Sequence, residues 1–267
     1  MEIDKANAEF WNELCASAFA KRLGITNHSA ESLKKFDDAY LGIYPYLLKH
    51  VNPELITGKK VLEVGLGWGT LGQKIAEIAA DYIGLDVAEG PVKMMNHRLS
   101  MKGLFGRAIQ GSILRCPLED NSIDGLVSIG CFHHTGNVQR CIDETYRILK
   151  QGGYAFIMVY NRFSYWQWIK WPKETFKALL YDFGLRKDFV LASERQRKSY
   201  DSNLEGQGAP ETVFLSIKQL RKMFSRFSHL KLCKEDCTRI PYLFTREQLL
   251  PYVGKAMGLY IYIIARK

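Results

Sequence analysis

Between Lys59 and Tyr160, short β-branched runs alternate with helical patterns, and that alternation leaves few folds open to the chain. KKVLEVG ends on glycines and reads as a buried strand. Leu71, Ile75, Ile78 and Ala79 then recur at helical spacing. DYIGLD is a second strand ending on Asp86, and Pro91 suits the first turn of a helix running through Met94 and Met95. LFGRAIQGS and SIDGLVSIG supply the third and fourth strands. Val138, Cys141, Ile142, Tyr146 and Leu149 make a helix face ended by Gly152-Gly153, and GYAFIMVY is the fifth strand. Strands spaced by helices in this way predict a parallel sheet covered on both faces. Right-handed crossovers make it doubly wound.

The alternation stops after Tyr160. It resumes with a helix carrying Ile217, Leu220, Phe224 and Phe227, and with HLKLCKEDC and GLYIYIIAR as the last two strands. At the other end, Phe10, Trp11, Leu14, Cys15, Ala18 and Phe19 predict one helix, and a second starts near Glu31 with Asn27 or Ser29 as its cap. The chain divides accordingly: residues 1–55 as an N-terminal helical cap, 56–160 as the cofactor-binding core, 161–212 as a lid or substrate insertion, and 213–267 as the helix and strands that complete the sheet.

Ligands of doubly wound sheets bind beyond the carboxyl ends of the strands. The first strand offers Gly65-Leu66-Gly67-Trp68-Gly69 there, a loop whose glycines let a ligand lie against bare main chain. The second offers Asp86 and Val87, the carboxylate suited to the two hydroxyls of an adenosine ribose. The third offers Ser112 and Ile113, the fourth Gly130-Cys131 and then His133-His134, the fifth Tyr160 and Arg162. Gly67, Gly69 and Gly72 also satisfy the GxGxxG spacing of dinucleotide binders, so loop and Asp86 together specify an adenosine-containing cofactor without separating a nicotinamide dinucleotide from S-adenosylmethionine.

Four stretches, in order, resemble the class I S-adenosylmethionine-dependent methyltransferases. VLEVGLGWG is similar to their first motif, an acidic residue two before GxGxG, with Glu63 as that acid. YIGLDVAEG resembles the second, with Asp86 as ribose ligand. GSILRCPLEDNSIDGLVSIGCFHHT resembles the stretch running into strand four, and RILKQGGYAFIMVY the one leading into strand five. The nearest resemblance is to the small-molecule, quinone-biosynthesis-like branch (methyltransferase type 11). It implies a Rossmann-like sheet of seven strands with the last antiparallel, N-terminal helices, and a helical lid inserted before the final strands. It also implies S-adenosylmethionine as cofactor, held by Glu63, Gly65, Leu66, Gly67, Trp68, Gly69, Asp86, Val87, Ser112, Ile113, Gly130 and Cys131. Ser112 departs from the family's usual Asp near the adenine, and Gln151 from its usual Pro. His133-His134 stands in place of the N-P-P-Y type of motif, which argues against base-flipping methylation of nucleic acid. One of the two histidines is the candidate general base. Tyr160 and Arg162 are candidates for contacting the acceptor.

Composition bears on partners. The net charge of +9 is uneven: residues 161–200 hold nine Lys/Arg against four Asp/Glu, interleaved with aromatics as in NRFSYWQWIKW. Such a segment fits an aromatic or anionic small-molecule acceptor, nucleic acid, a peripheral membrane contact, or a solvated charged face. The six cysteines form no CxxC pair, no carboxylate cluster follows strand four, and no metal is expected. No secretory signal or spanning segment is evident, so the expected location is cytoplasmic. Two other classes share the loop: an NAD(P)-dependent oxidoreductase, and a non-catalytic S-adenosylmethionine-binding protein acting at a membrane surface.

Overall fold

In the computed structural model, which describes residues 2–238 and 244–267, the strands Lys60–Val64 (β1), Asp81–Asp86 (β2), Gly106–Gln110 (β3), Ile123–Ile129 (β4), Leu149–Tyr160 (β5), His229–Glu235 (β6) and Tyr260–Arg266 (β7) form one sheet in the order β3-β2-β1-β4-β5-β7-β6. β1 to β5 are parallel, and β7 runs antiparallel between β5 and β6. The chain crosses from one half of the sheet to the other between β3 and β4, which leaves a crevice between the carboxyl ends of β1 and β4.

Helices α1 (Glu2–Trp11), α2 (Ser17–Arg22), α3 (Ala30–Ile43) and α4 (Leu47–His50) precede the sheet. Within it come α5 (Thr70–Ala76), α6 (Glu89–Lys102) and α7 (Val138–Ile148). The insertion holds α8 (Tyr165–Lys170), α9 (Pro172–Asp182) and α10 (Glu194–Tyr200), followed by α11 (Ile217–Met223). Successive strand residues point to opposite faces, so each strand feeds two cores. Leu62, Ile83, Leu126 and Ile157 pack with Val138 and Ile142 of α7 and Leu220 of α11. Val61, Tyr82, Val127 and Phe156 pack with Ile75 of α5 and with Met95 and Leu99 of α6. Burial on both sides explains why these strands read as near-continuous apolar runs.

Two expectations are corrected. The helix expected across Phe10–Phe19 is two helices. Leu14 and Ala16 adopt left-handed backbone (φ 71° and 67°), and the intervening Asn12 side chain accepts a hydrogen bond from Gly90 N–H at 2.8 Å. Long-range contacts there outweigh the local helical period. Likewise Gly152-Gly153 does not end α7. The strand already begins at Leu149, opposite Ile123, and the next pair in register is Gly125 with Tyr154, so the glycines lie in a bulge. A Cβ on Gly153 would stand 2.9 Å from the carbonyl oxygens of Asp124 and Lys150.

Candidate cofactor and acceptor cavity

A cavity opens at the β1/β4 crevice, and its wall brings together Glu63, Gly65, Leu66, Gly67, Trp68, Asp86, Val87, Ser112, Ile113, Gly130 and Cys131. Local sequence makes this possible. Gly65 has φ 83°, and a Cβ there would lie 2.6 Å from Cβ of Cys131, so only glycine lets the first and fourth strand-end loops meet. Gly69, also left-handed, shapes the loop but does not line the cavity; its Cα faces Cδ of Arg98.

Asp86 is oriented by the loop it faces. One carboxylate oxygen accepts from Leu66 N–H at 2.8 Å, the other from Ala88 N–H at 2.9 Å. Burial pushes the carboxyl up to about 6, against the pull of those backbone donors. Glu63, deeper in the wall, is pushed up to about 8 by burial; the Tyr82 hydroxyl donates to it and pulls the other way. Burial holds the Cys131 thiol well above its ordinary value, as an unreactive wall residue. The Ser112 hydroxyl donates to Asp4 at 3.1 Å.

Behind the loop stands a buried clamp that sequence reasoning missed. Arg98 has no exposed surface. Its Nε donates to the Trp68 carbonyl at 2.6 Å, and its two terminal nitrogens each reach Asp37 of α3 at 2.8 Å. Gln73 and Thr70 complete the cluster. Trp68 itself stacks on Phe36 of α3, ring centroids 4.5 Å apart.

The two histidines part company. His133 is fully buried, packs on Tyr160 (4.0 Å), and has no hydrogen-bond partner on either ring nitrogen among the described residues; burial holds its pKa well below the ordinary value. It does not reach the cavity. His134 lines it. Its Nδ1 lies 2.7 Å from the Glu211 carbonyl, an acceptor, so Nδ1 carries the proton and Nε2 is the basic atom. Nε2 is 3.5 Å from Oδ2 of Asp201, whose carboxylate also accepts from the Tyr160 hydroxyl at 2.9 Å. Burial raises the Asp201 pKa, with His134 and Tyr160 opposing. Tyr160 thus stands behind Asp201 rather than in the wall. Arg162 is buried too, donating to the Phe214 and Val190 carbonyls and covering the Phe189 ring, which makes it an anchor of the insertion.

The wall is completed from the N-terminus, which motif reading did not assign to the site. Asp4, Asn7 and Trp11 of α1, then Cys15, Phe36 and Tyr40, all face the cavity. Asn7 donates to the His134 carbonyl at 2.8 Å, and the Trp11 ring lies 5.0 Å from the His134 ring. The Glu13 carboxylate accepts from Leu204 N–H at 3.0 Å, joining this segment to the insertion. The Cys15 thiol is pushed up to about 12 by its surroundings and by Asp201, Asp86 and Glu13. Among the described residues no Lys or Arg lines the cavity. Among the described residues no cluster of His, Cys, Asp and Glu is placed to hold a metal ion.

Comparison with known proteins agrees with this geometry. Residues 62–157 match the family model described as a methyltransferase domain. The chain is 28% identical over 113 residues to the mitochondrial ubiquinone biosynthesis O-methyltransferase of Rattus norvegicus, covering 40% of this chain and 32% of that protein. It is 35% identical over 107 residues to the uncharacterized methyltransferase YdaC of Bacillus subtilis, covering 39% of this chain and 58% of that one. Each match therefore spans less than two thirds of the relative's length. Among solved structures, a methyltransferase of Thermotoga maritima described as a possible histamine N-methyltransferase shares the fold, with TM-score 0.54, 19% identity, and coverage of 86% of this chain and 93% of that one. With residues 62–157 matching a methyltransferase domain on a seven-stranded sheet with a strand-end cavity, the chain is similar to the class I S-adenosylmethionine-dependent methyltransferases.

Proposed function

We propose that this protein transfers the methyl group of S-adenosylmethionine to an oxygen, nitrogen or carbon of a small-molecule acceptor, releasing S-adenosylhomocysteine. The observation that carries the reading is the cavity wall: a glycine loop with bare backbone, an oriented carboxylate at the end of β2, and carboxyl groups with no Lys or Arg among the described residues. That wall suits a cofactor with a sulfonium and an ammonium.

The cofactor supplies a methyl group already activated on positive sulfur. The chain's own residues bind and align. Asp86 retains a lone pair on each oxygen for a ribose hydroxyl. Ser112 and Ile113 offer a hydroxyl and an apolar surface beside them. At the acceptor side, His134 Nε2 takes the proton that a hydroxyl or ammonium acceptor must lose, and Asp201 stabilises the resulting imidazolium. α1 closes the cavity to water through Asn7 and Trp11. Trp11, Phe36 and Tyr40 favour an apolar or ring-containing acceptor. A neutral one fits better than an anionic one, since no cation lines the wall among the described residues. The rat relative's designation as an O-methyltransferase supports a hydroxyl acceptor.

Isothermal titration tests the cofactor. S-adenosylhomocysteine is expected to bind one-to-one and NADH not at all. Binding of NADH alone would overturn the proposal in favour of an oxidoreductase.

A further inference from the structure

The insertion turns one side inward, through Tyr200 and Asp201, and leaves another side unpartnered. On α9, Thr175 and Ala178 are buried, while Phe176 is 53% exposed. Phe183, seven residues on and 70% exposed, falls almost on the same line along the helix. The chain then turns at Gly184, in left-handed backbone, and Leu185 N–H bonds back to the Leu180 carbonyl at 2.9 Å. A residue at this place after a helix usually folds its apolar side chain back onto the last turn. Leu185 instead remains 76% exposed. Lys173, Lys177 and Lys187 are exposed around these three residues, and none has a carboxylate partner within ion-pair distance among the described residues. Of the carboxylates on the same stretch, Asp188 is taken up by Arg186, while Glu174 and Asp182 are only half exposed.

We propose that this face of α9 and the turn after it docks on an anionic lipid surface. Large apolar side chains in a row, flanked by exposed lysines without ion-pair partners among the described residues, match an interface where rings enter the acyl boundary and ammonium groups meet lipid phosphates. The contact does not depend on the reaction. Through Trp171 and Gln167, which pack on Tyr200, the docked helices adjoin the inward side of the insertion.

Cosedimentation with phosphatidylcholine vesicles, with and without phosphatidylglycerol, tests it. Binding is expected to be at least about tenfold stronger with the anionic lipid. The triple variant Phe176→Ser/Phe183→Ser/Leu185→Ser, and separately Lys173→Glu/Lys177→Glu/Lys187→Glu, should fall to the level of neutral vesicles. Both should keep the melting temperature and S-adenosylhomocysteine affinity of the parent, measured without lipid. Equal binding to both vesicle types, binding that survives either triple variant, or no binding at all overturns the proposal. So does a lipid-free dimer that the serine variant dissociates. Because cofactor affinity is read separately, a failure of the methyltransferase reading leaves the vesicle result interpretable.

Discussion

Burial favours the protonated form of Asp86, whereas the ribose contact proposed for it needs the ionised one. With its carboxyl pushed up to about 6, the folded protein binds this proton more tightly than the unfolded chain does. The stability it contributes is full below the unfolded value near 3.8 and is lost as pH rises through about 6. Cofactor affinity should run the opposite way, weakening as pH falls through about 6, by calorimetry with S-adenosylhomocysteine. Asp86→Asn should weaken binding at pH 8 by about tenfold or more, as expected for losing hydrogen bonds to a charged group worth about 1.5–3 kcal/mol. It should also remove that share of the pH dependence. Asp86 was legible in the sequence because strand, glycine loop and carboxylate follow at fixed spacing. The choice between His133 and His134 was not. Two adjacent identical residues in one turn differ only in what long-range packing does to each, and Asp201, the partner that marks His134, arrives from 67 positions away without any local motif.

At the level of elements, α1 carries a consequence that its own sequence conceals. Its apolar spacing continued smoothly into residues 14–19, so periodicity predicted one straight helix. The break at Leu14 and Ala16 comes from contacts with Gly90 and Leu204, residues that no local pattern can announce. The result is a helix laid across the ends of β3 and β4 through Ser112 and His134. Amide hydrogen exchange should therefore slow over residues 2–11 when S-adenosylhomocysteine is added, more than over the outer helix α9. Asn7→Ala should weaken ligand binding by about fivefold, the worth of roughly one hydrogen bond, with little change in melting temperature. Unchanged exchange in α1 would mean that the helix does not close on the ligand.

Across the whole molecule, the parallel half of the sheet was the most readable part, because strands buried on both faces announce themselves as unbroken apolar runs. The cooperation between distant parts was hidden. Arg98 from α6, Asp37 from α3 and the Trp68 carbonyl of the glycine loop meet in a buried site, and their codes in sequence are ordinary surface codes. Arg98→Met or Asp37→Asn should lower unfolding free energy by about 3–5 kcal/mol, as when one half of a buried ion pair is removed. Chemical denaturation would measure it. A loss below about 1 kcal/mol would place the pair at the surface class of ion pairs instead. The placement of β7 has a different kind of consequence. It fills the slot between β5 and β6, registering Tyr260 against Tyr160 and Arg266 against Tyr154. While the chain is being made, β5 has one neighbour and one bare apolar margin until residues 260–266 emerge. A ribosome that stalls earlier, or a protease that removes the last strand, leaves a ready template for strands of other chains.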